Sequence, residues 1–278
     1  MKGLFIPPNP EASKLYRQIW KENYGDSKTI RMLIHPMWKG YEDLADYKFV
    51  KEFQVHFEGC FWEMYLSMIM RDSGLSISSK DAGPDIKIDR NGKIEWVEAI
   101  SPTNGPNIPV EFSEEFLISR ITGAITEKYR QYKKYLEKGI IHEDEAYIIA
   151  VNISEIGTAA TRTDQLLLKS LFPIDGEVAI IDKATGLGKT SFDFRDKIFK
   201  DNGSPIATNN FVDEKFAGIS GVIFSRKDCI NLPVSHGSEI SFFHNPKARV
   251  SVEESYLPFG SEYKGYFEGD ILVYSKLK

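Results

Sequence analysis

Residues 83–101 read GPDIKIDRNGKIEWVEAIS. Two runs, DIKID (85–89) and KIEWVEAIS (93–101), alternate apolar and polar residues on either side of Arg90-Asn91-Gly92, the composition of a tight β-hairpin turn. Each run contains an acidic residue that a core strand does not ordinarily need. Asp85 opens the first strand, and Glu98 lies among Trp96, Val97, Ala99 and Ile100 in the second. Side chains alternate along a strand, so Ile94, Trp96, Glu98 and Ile100 share one face. The turn carries Asp85 back towards Glu98, with the register left open by the sequence.

Working outward, residues 10–32 pattern as helical with a break near Gly25-Asp26-Ser27, and residues 47–71 read as one long helix. LSISS (75–79) is a short strand, and SPTNGPNIP (101–109) is a loop dense in Pro, Gly and Asn. Ser113 opens a helix that runs to Gly139, and AYIIAVNIS (146–154) is a buried strand. EVAIID, SFDFRDKIF, ISGVIFSR, EISFFHN and DILVYSK follow as strands. The tail YLPFGSEYKGYFEGD (256–270) reads as a substrate-facing loop or a wrapped surface, and TGLGKT (185–190) as a turn. A P-loop would need glycine at position 183, which is Lys183.

This order predicts a single α/β domain over 1–278, a central mixed sheet flanked by helices with additional C-terminal strands. Within it, 1–46 form an N-terminal helical part, 47–155 carry the motifs, and 156–278 supply the remaining strands and loops. The 278 residues suffice for a substantial core. Two cysteines make neither a disulfide framework nor a zinc site, so a reducing cytoplasm is the expected setting. The N-terminus does not pattern as a signal peptide, no stretch matches a membrane span, and a net charge of −5 speaks against a generic basic nucleic-acid binder without excluding a nuclease.

The helix segment GCFWEMYLSMIM (59–70) is apolar nearly all round, with Glu63 its only charge. Burying an unpaired carboxylate costs several kcal/mol, so Glu63 must pair, bind a cation or take up a proton. Glu63, Asp85 and Glu98 in apolar surroundings repel one another unless neutralised. Hard oxygen ligands of this kind suit Mg²⁺ or Mn²⁺.

Gly59 to Glu63 fits a helical G-x-x-x-E, Gly83-Pro84-Asp85 a Gly-Asp strand start, Glu98-Ala99-Ile100 part of a D/E-x-K strand, and Gln131 to Tyr135 a helical Q-x-x-x-Y. In this order, over roughly residues 50–155, the motifs resemble those of the PD-(D/E)XK nuclease superfamily, in particular its RecB and lambda-exonuclease-like branch. The resemblance implies a restriction-endonuclease-like core and a magnesium- or manganese-dependent nuclease acting on DNA. Asp85 and Glu98 would be metal ligands, with Glu63 completing the site directly or through water. Restriction, repair and defence each fit such an activity. Cutting both strands commonly takes two active sites, so a homodimer is compatible with it.

The chain departs from the pattern at Ile100, where the family has a lysine that positions and activates the attacking water. Two lysines are candidates to replace it. Arg120, Ala124, Lys128, Gln131 and Tyr135 line one face of the 113–138 helix, which points Lys128 with the motif residues. Lys87, two residues after Asp85 on the same strand face, is the second candidate. The missing lysine also fits an inactive nucleic-acid- or protein-binding module on the same scaffold. An unrelated metal-dependent hydrolase of small molecules is a third reading. On the helix, Arg120, Arg130, Lys133 and Lys134, with Tyr135, are the candidate contacts to a phosphate backbone.

Overall fold

A computed structural model describes residues 3–22, 27–79, 82–106, 109–158, 160–181, 184–185, 188–200, 203–268 and 271–278. The N-terminal part contributes α1 (Lys14–Trp20), α2 (Ser27–Lys39), α3 (Phe49–Val55) and α4 (Phe57–Asp72). The single long helix expected over 47–71 is in fact two. His56, at φ −114° and ψ 54°, leaves helical geometry and separates α3 from α4. Their rings nevertheless stay in contact across the break, with the Phe53 and Phe57 centroids 4.9 Å apart and the planes tilted by 51°.

The hairpin follows, β2 (Ile86–Arg90) and β3 (Lys93–Ile100), with β1 (Ser76–Ser78) on its outer edge. Asn91 and Gly92 both have positive φ, 56° and 87°, as a two-residue turn compatible with strand twist requires. After the loop, α5 (Glu114–Glu137) starts where Ser113 Oγ accepts a hydrogen bond from the Phe116 N–H at 3.1 Å. It ends before Gly139, whose φ of 64° is the left-handed geometry of a helix terminator. α5 returns the chain to β4 (Ala146–Asn152), buried along its whole length.

The remaining elements are α6 (Asp164–Leu171), β5 (Ile174–Ile181), β6 (Gly188–Phe194), β7 (Lys197–Phe199), β8 (Pro205–Ala207), β9 (Gly221–Ser225), β10 (Ser241–His244), β11 (Ser261–Glu268) and β12 (Ile271–Lys276). SFDFRDKIF is thus divided between β6 and β7. The tail expected as a loop or wrapped surface contains β11. α6 and β8 lack strong patterns of their own and were not expected. The turn expected at TGLGKT falls partly outside the described residues, at 186 and 187, and its last three residues begin β6.

Eight strands form one mixed sheet in the order β1-β2-β3-β4-β9-β10-β11-β12, and β5–β6 and β7–β8 are separate pairs. β3, β4 and β9 run parallel, so Ile100, Asn152 and Ser225 end at the same edge. Helices cover both faces. On one, Phe61 and Trp62 of α4 pack with Val97, Ile148, Ala150 and Ile223. On the other, Ile121 and Ile125 of α5 pack with Trp96, Ile149, Val151 and Val222. The alternation within β3 and β4 therefore divides cleanly between two cores. The architecture is α/β with a large mixed sheet between helical layers. Among the described residues no helix is long and apolar enough to cross a membrane. Cys60 and Cys229 are free and buried.

Candidate active site

The hairpin register pairs Ile86 with Val97, so the next rung sets Asp85 across from Glu98. Asp85 Oδ2 accepts a hydrogen bond from the Ala99 N–H at 2.7 Å, which ties the start of β2 to the end of β3. Glu98 shares the face of Trp96 and looks towards α5. From that helix Lys128 reaches down, and its Nζ lies 2.6 Å from Glu98 Oε1. The Glu98 side chain is 2% exposed and that of Lys128 17%, which makes this a largely dehydrated ion pair. Glu98 Oε2 is buried without a hydrogen-bond partner among the described residues.

The motif residues of α5 surround the lysine. Gln131 Oε1 accepts from Lys128 Nζ at 3.5 Å, Gln131 Nε2 donates to the Tyr135 hydroxyl, and Tyr135 donates to the Gly83 carbonyl at 3.3 Å. Behind them, the Tyr147 hydroxyl of β4 donates to the Lys128 carbonyl at 3.2 Å. Lys87 is engaged elsewhere, with its Nζ 5.5 Å from the Trp96 ring centroid. Of the two candidate lysines, Lys128 is the one in contact with Glu98.

Glu63 belongs to α4, in the opposite helical layer, and accepts a hydrogen bond from the Tyr41 hydroxyl. Tyr41 follows α2 in a segment without periodic pattern, so sequence reasoning missed it. A core carboxylate in need of a donor was the one available signal. Among the described residues, no group of three or more His, Cys, Asp or Glu side chains is gathered closely enough to hold a metal ion. Any divalent cation here would have to rely on Asp85 and Glu98, supplemented by water or phosphate oxygens. Mg²⁺ commonly binds through one or two carboxylates in this way. The unpartnered Glu98 Oε2 fits that role.

Electrostatics bind these groups together. Burial pushes the Glu98 carboxyl up, and Asp85 adds to the shift. Lys128 opposes both, leaving Glu98 at about 8. Asp85 is also raised by burial, against the pull of Lys128 and the Ala99 N–H. Glu63 is held well above its ordinary value by burial and by Asp85, although the Tyr41 hydrogen bond works the other way. Burial lowers the Lys128 ammonium, but the attraction of Glu98 and Asp85 outweighs it and the net shift is upward. A site with this many reluctant anions is primed to accept positive charge.

The expected phosphate contacts separate. Arg120 Nε donates to the Thr103 carbonyl at 2.7 Å, which pins the loop after β3 to α5. Arg130 and Lys134 line a shallow depression with Gln131 and Tyr135. Lys133 turns away, its Nζ 4.8 Å from the Tyr129 ring centroid. Tyr129 and Tyr132, interleaved with the basic residues, are buried core side chains, because their face of α5 packs on the sheet.

Two further groups were not anticipated. Farther along the strand-end edge stand Glu58 of α4, Glu155 after β4, Arg162, and Asp228 after β9. Burial, Asp228 and Glu155 push Glu58 up to about 8 against Arg162, and burial alone takes Glu155 to about 7. Across the sheet, His244 Nε2 and Glu262 Oε1 are 2.6 Å apart in the core, and Glu262 Oε2 accepts from the Tyr256 N–H at 3.1 Å. These partners are 18 and 6 residues apart, beyond the reach of any local pattern.

The fold and site together define an α/β protein whose strand-end edge carries an Asp85–Glu98–Lys128 cluster. Comparison with protein-family models, curated proteins and solved structures finds no match for this chain.

Proposed function

We propose that the chain is a metal-dependent nuclease that hydrolyses DNA phosphodiester bonds on a restriction-endonuclease-like core. The contact between Lys128 and Glu98 carries this reading. Ile100 stands where the resembled motif has its lysine, and an ammonium from α5 lies 2.6 Å from the same motif's carboxylate. Asp85 and Glu98 would hold Mg²⁺ or Mn²⁺. Such an ion neutralises phosphate charge and lowers the pKa of water, making a nucleophile at neutral pH. Lys128 keeps one proton beyond those given to Glu98 and Gln131 and would offer it to the negative charge that develops on the phosphoryl oxygens. Gln131 and Tyr135 fix the ammonium in place. Arg120, Arg130 and Lys134 would receive the flanking backbone phosphates, with salt-sensitive binding as the consequence.

The test is incubation with linear, circular and single-stranded DNA plus Mg²⁺ or Mn²⁺, beside Asp85→Ala and Lys128→Ala. Metal-dependent cutting that both substitutions abolish is the expected result. Two contacts favour the inactive binding module: Lys128 is already paired with Glu98, and Tyr41 already donates to Glu63. Salt-sensitive DNA binding without cutting, unchanged in Asp85→Ala, would select that alternative.

A further inference from the structure

A cleft of about 650 Å³ lies between the loop after β3 and the first half of α5, bounded by Ile100, Phe116, Arg120, Gly123, Glu127 and Phe199. It begins two residues beyond Glu98 on the strand and one residue before Lys128 on the helix, so it adjoins the candidate active site. Its volume falls within the roughly 300–1,000 Å³ typical of small-ligand sites.

Three features distinguish it from an accidental gap. Gly123 sits inside α5, where glycine costs about 1 kcal/mol relative to alanine, yet a Cβ there would meet nothing within 4 Å. Packing does not demand the glycine, whereas a flat wall for an occupant would. Arg120 is held at the cleft by Thr103, and the backbone of Gly105, at φ +78°, lets its guanidinium approach closely. Phe199 is 55% exposed at the rim, a large apolar ring left partly in water. An aromatic face, an anchored guanidinium and hydroxyls such as that of Ser119 offer partners for a base, a phosphate and a sugar respectively.

We infer that this cleft seats one unpaired nucleotide next to the bond to be cut. This deepens the nuclease reading and rests on it for the position of the bond. Inside a duplex a base shows only its edges. To lay its face on Phe199 it must leave the stack, which costs least when the strand is already single. The preferred substrate is therefore single-stranded DNA or a frayed end.

Fluorescence anisotropy without divalent metal tests this, comparing a labelled oligothymidylate with a blunt duplex of equal length. The protein should bind the single strand at least about tenfold more tightly, since aromatic stacking contributes on that scale per base. Phe199→Ala and Gly123→Gln should each weaken single-strand binding about tenfold while leaving duplex binding unchanged. Gly123→Gln replaces a poor helix former at an open position, so the fold survives and thermal melting verifies it. Equal affinity for both substrates, or single-strand binding indifferent to both substitutions, overturns the inference. Single-strand preference that responds to both substitutions, in a protein that never cuts with Mg²⁺ or Mn²⁺, upholds the cleft and defeats the nuclease reading instead.

Discussion

Replacing Lys128 with methionine keeps much of the side-chain volume and removes the charge that faces Glu98. Breaking a buried ion pair at one partner costs about 3–5 kcal/mol, because the other charge remains buried and unmatched. Two features of the site reduce that figure. The lysine side chain is 17% exposed, so water screens part of the attraction. Glu98, already shifted up to about 8, can also take up a proton rather than stay charged. A loss of about 2–3 kcal/mol near pH 9, falling to about 1 kcal/mol near pH 5 where Glu98 is neutral in either protein, is the expected outcome. Urea unfolding by linear extrapolation at both pH values measures it. Lys128→Met combined with Glu98→Gln should recover part of the loss near pH 9, since the Glu98 charge is removed while Asp85 still lacks the pull of Lys128. A penalty equal at the two pH values, or a double variant no more stable than Lys128→Met, would refute the account of a dehydrated, mutually dependent pair.

Other substitutions probe the scaffold. Gly123→Ala should stabilise the protein by about 0.5–1 kcal/mol in thermal or urea unfolding, because the helix gains propensity and the new methyl meets open space. Gly221→Ala should destabilise by about 1–3 kcal/mol on the same assay, as its Cβ would lie 2.5 Å from the Phe242 ring and 2.9 Å from the Phe243 carbonyl. Glu58 and Glu155 have raised folded-state values, about 8 and about 7 against an ordinary 4.5, so the folded protein holds protons that the unfolded chain releases. Their contribution to stability is fully present below about pH 4.5 and is lost as pH rises through about 7 to 8. Glu58→Gln should flatten the fall of melting temperature across that window, and an unchanged slope would remove Glu58 as its source.

The pieces of the site that could be read in the sequence are those written in short periods. The hairpin announced itself through alternation and Asn91-Gly92, while its register, which sets Asp85 opposite Glu98, came only with the pairing of Ile86 and Val97 in the folded sheet. α5 was bounded by a cap at Ser113 and a terminator at Gly139, and its 3.6-residue period aligned Lys128 with Gln131 and Tyr135. What lay beyond reading were partners brought together by tertiary packing. Tyr41, in the turn after α2, meets Glu63 of α4, and His244 meets Glu262 across neighbouring strands. The break at His56 was hidden because Phe53, Phe57 and Phe61 keep an apolar rhythm through it, so the pattern of burial survives where the backbone does not. β11 was obscured by the Gly and aromatic residues of SEYKGYFE, whose pairing with β12 decides its conformation.

Every side chain of the Asp–Glu–Lys centre and its immediate supports comes from residues 41–147, but the sheet beneath them closes later. β4, whose Tyr147 props the backbone of Lys128, is buried on both faces and paired on both sides, and its outer neighbour is β9, residues 221–225. During synthesis the ingredients of the centre are therefore assembled from the ribosome well before the platform that aligns them. A nascent chain stopped between the two would carry the chemistry without the geometry.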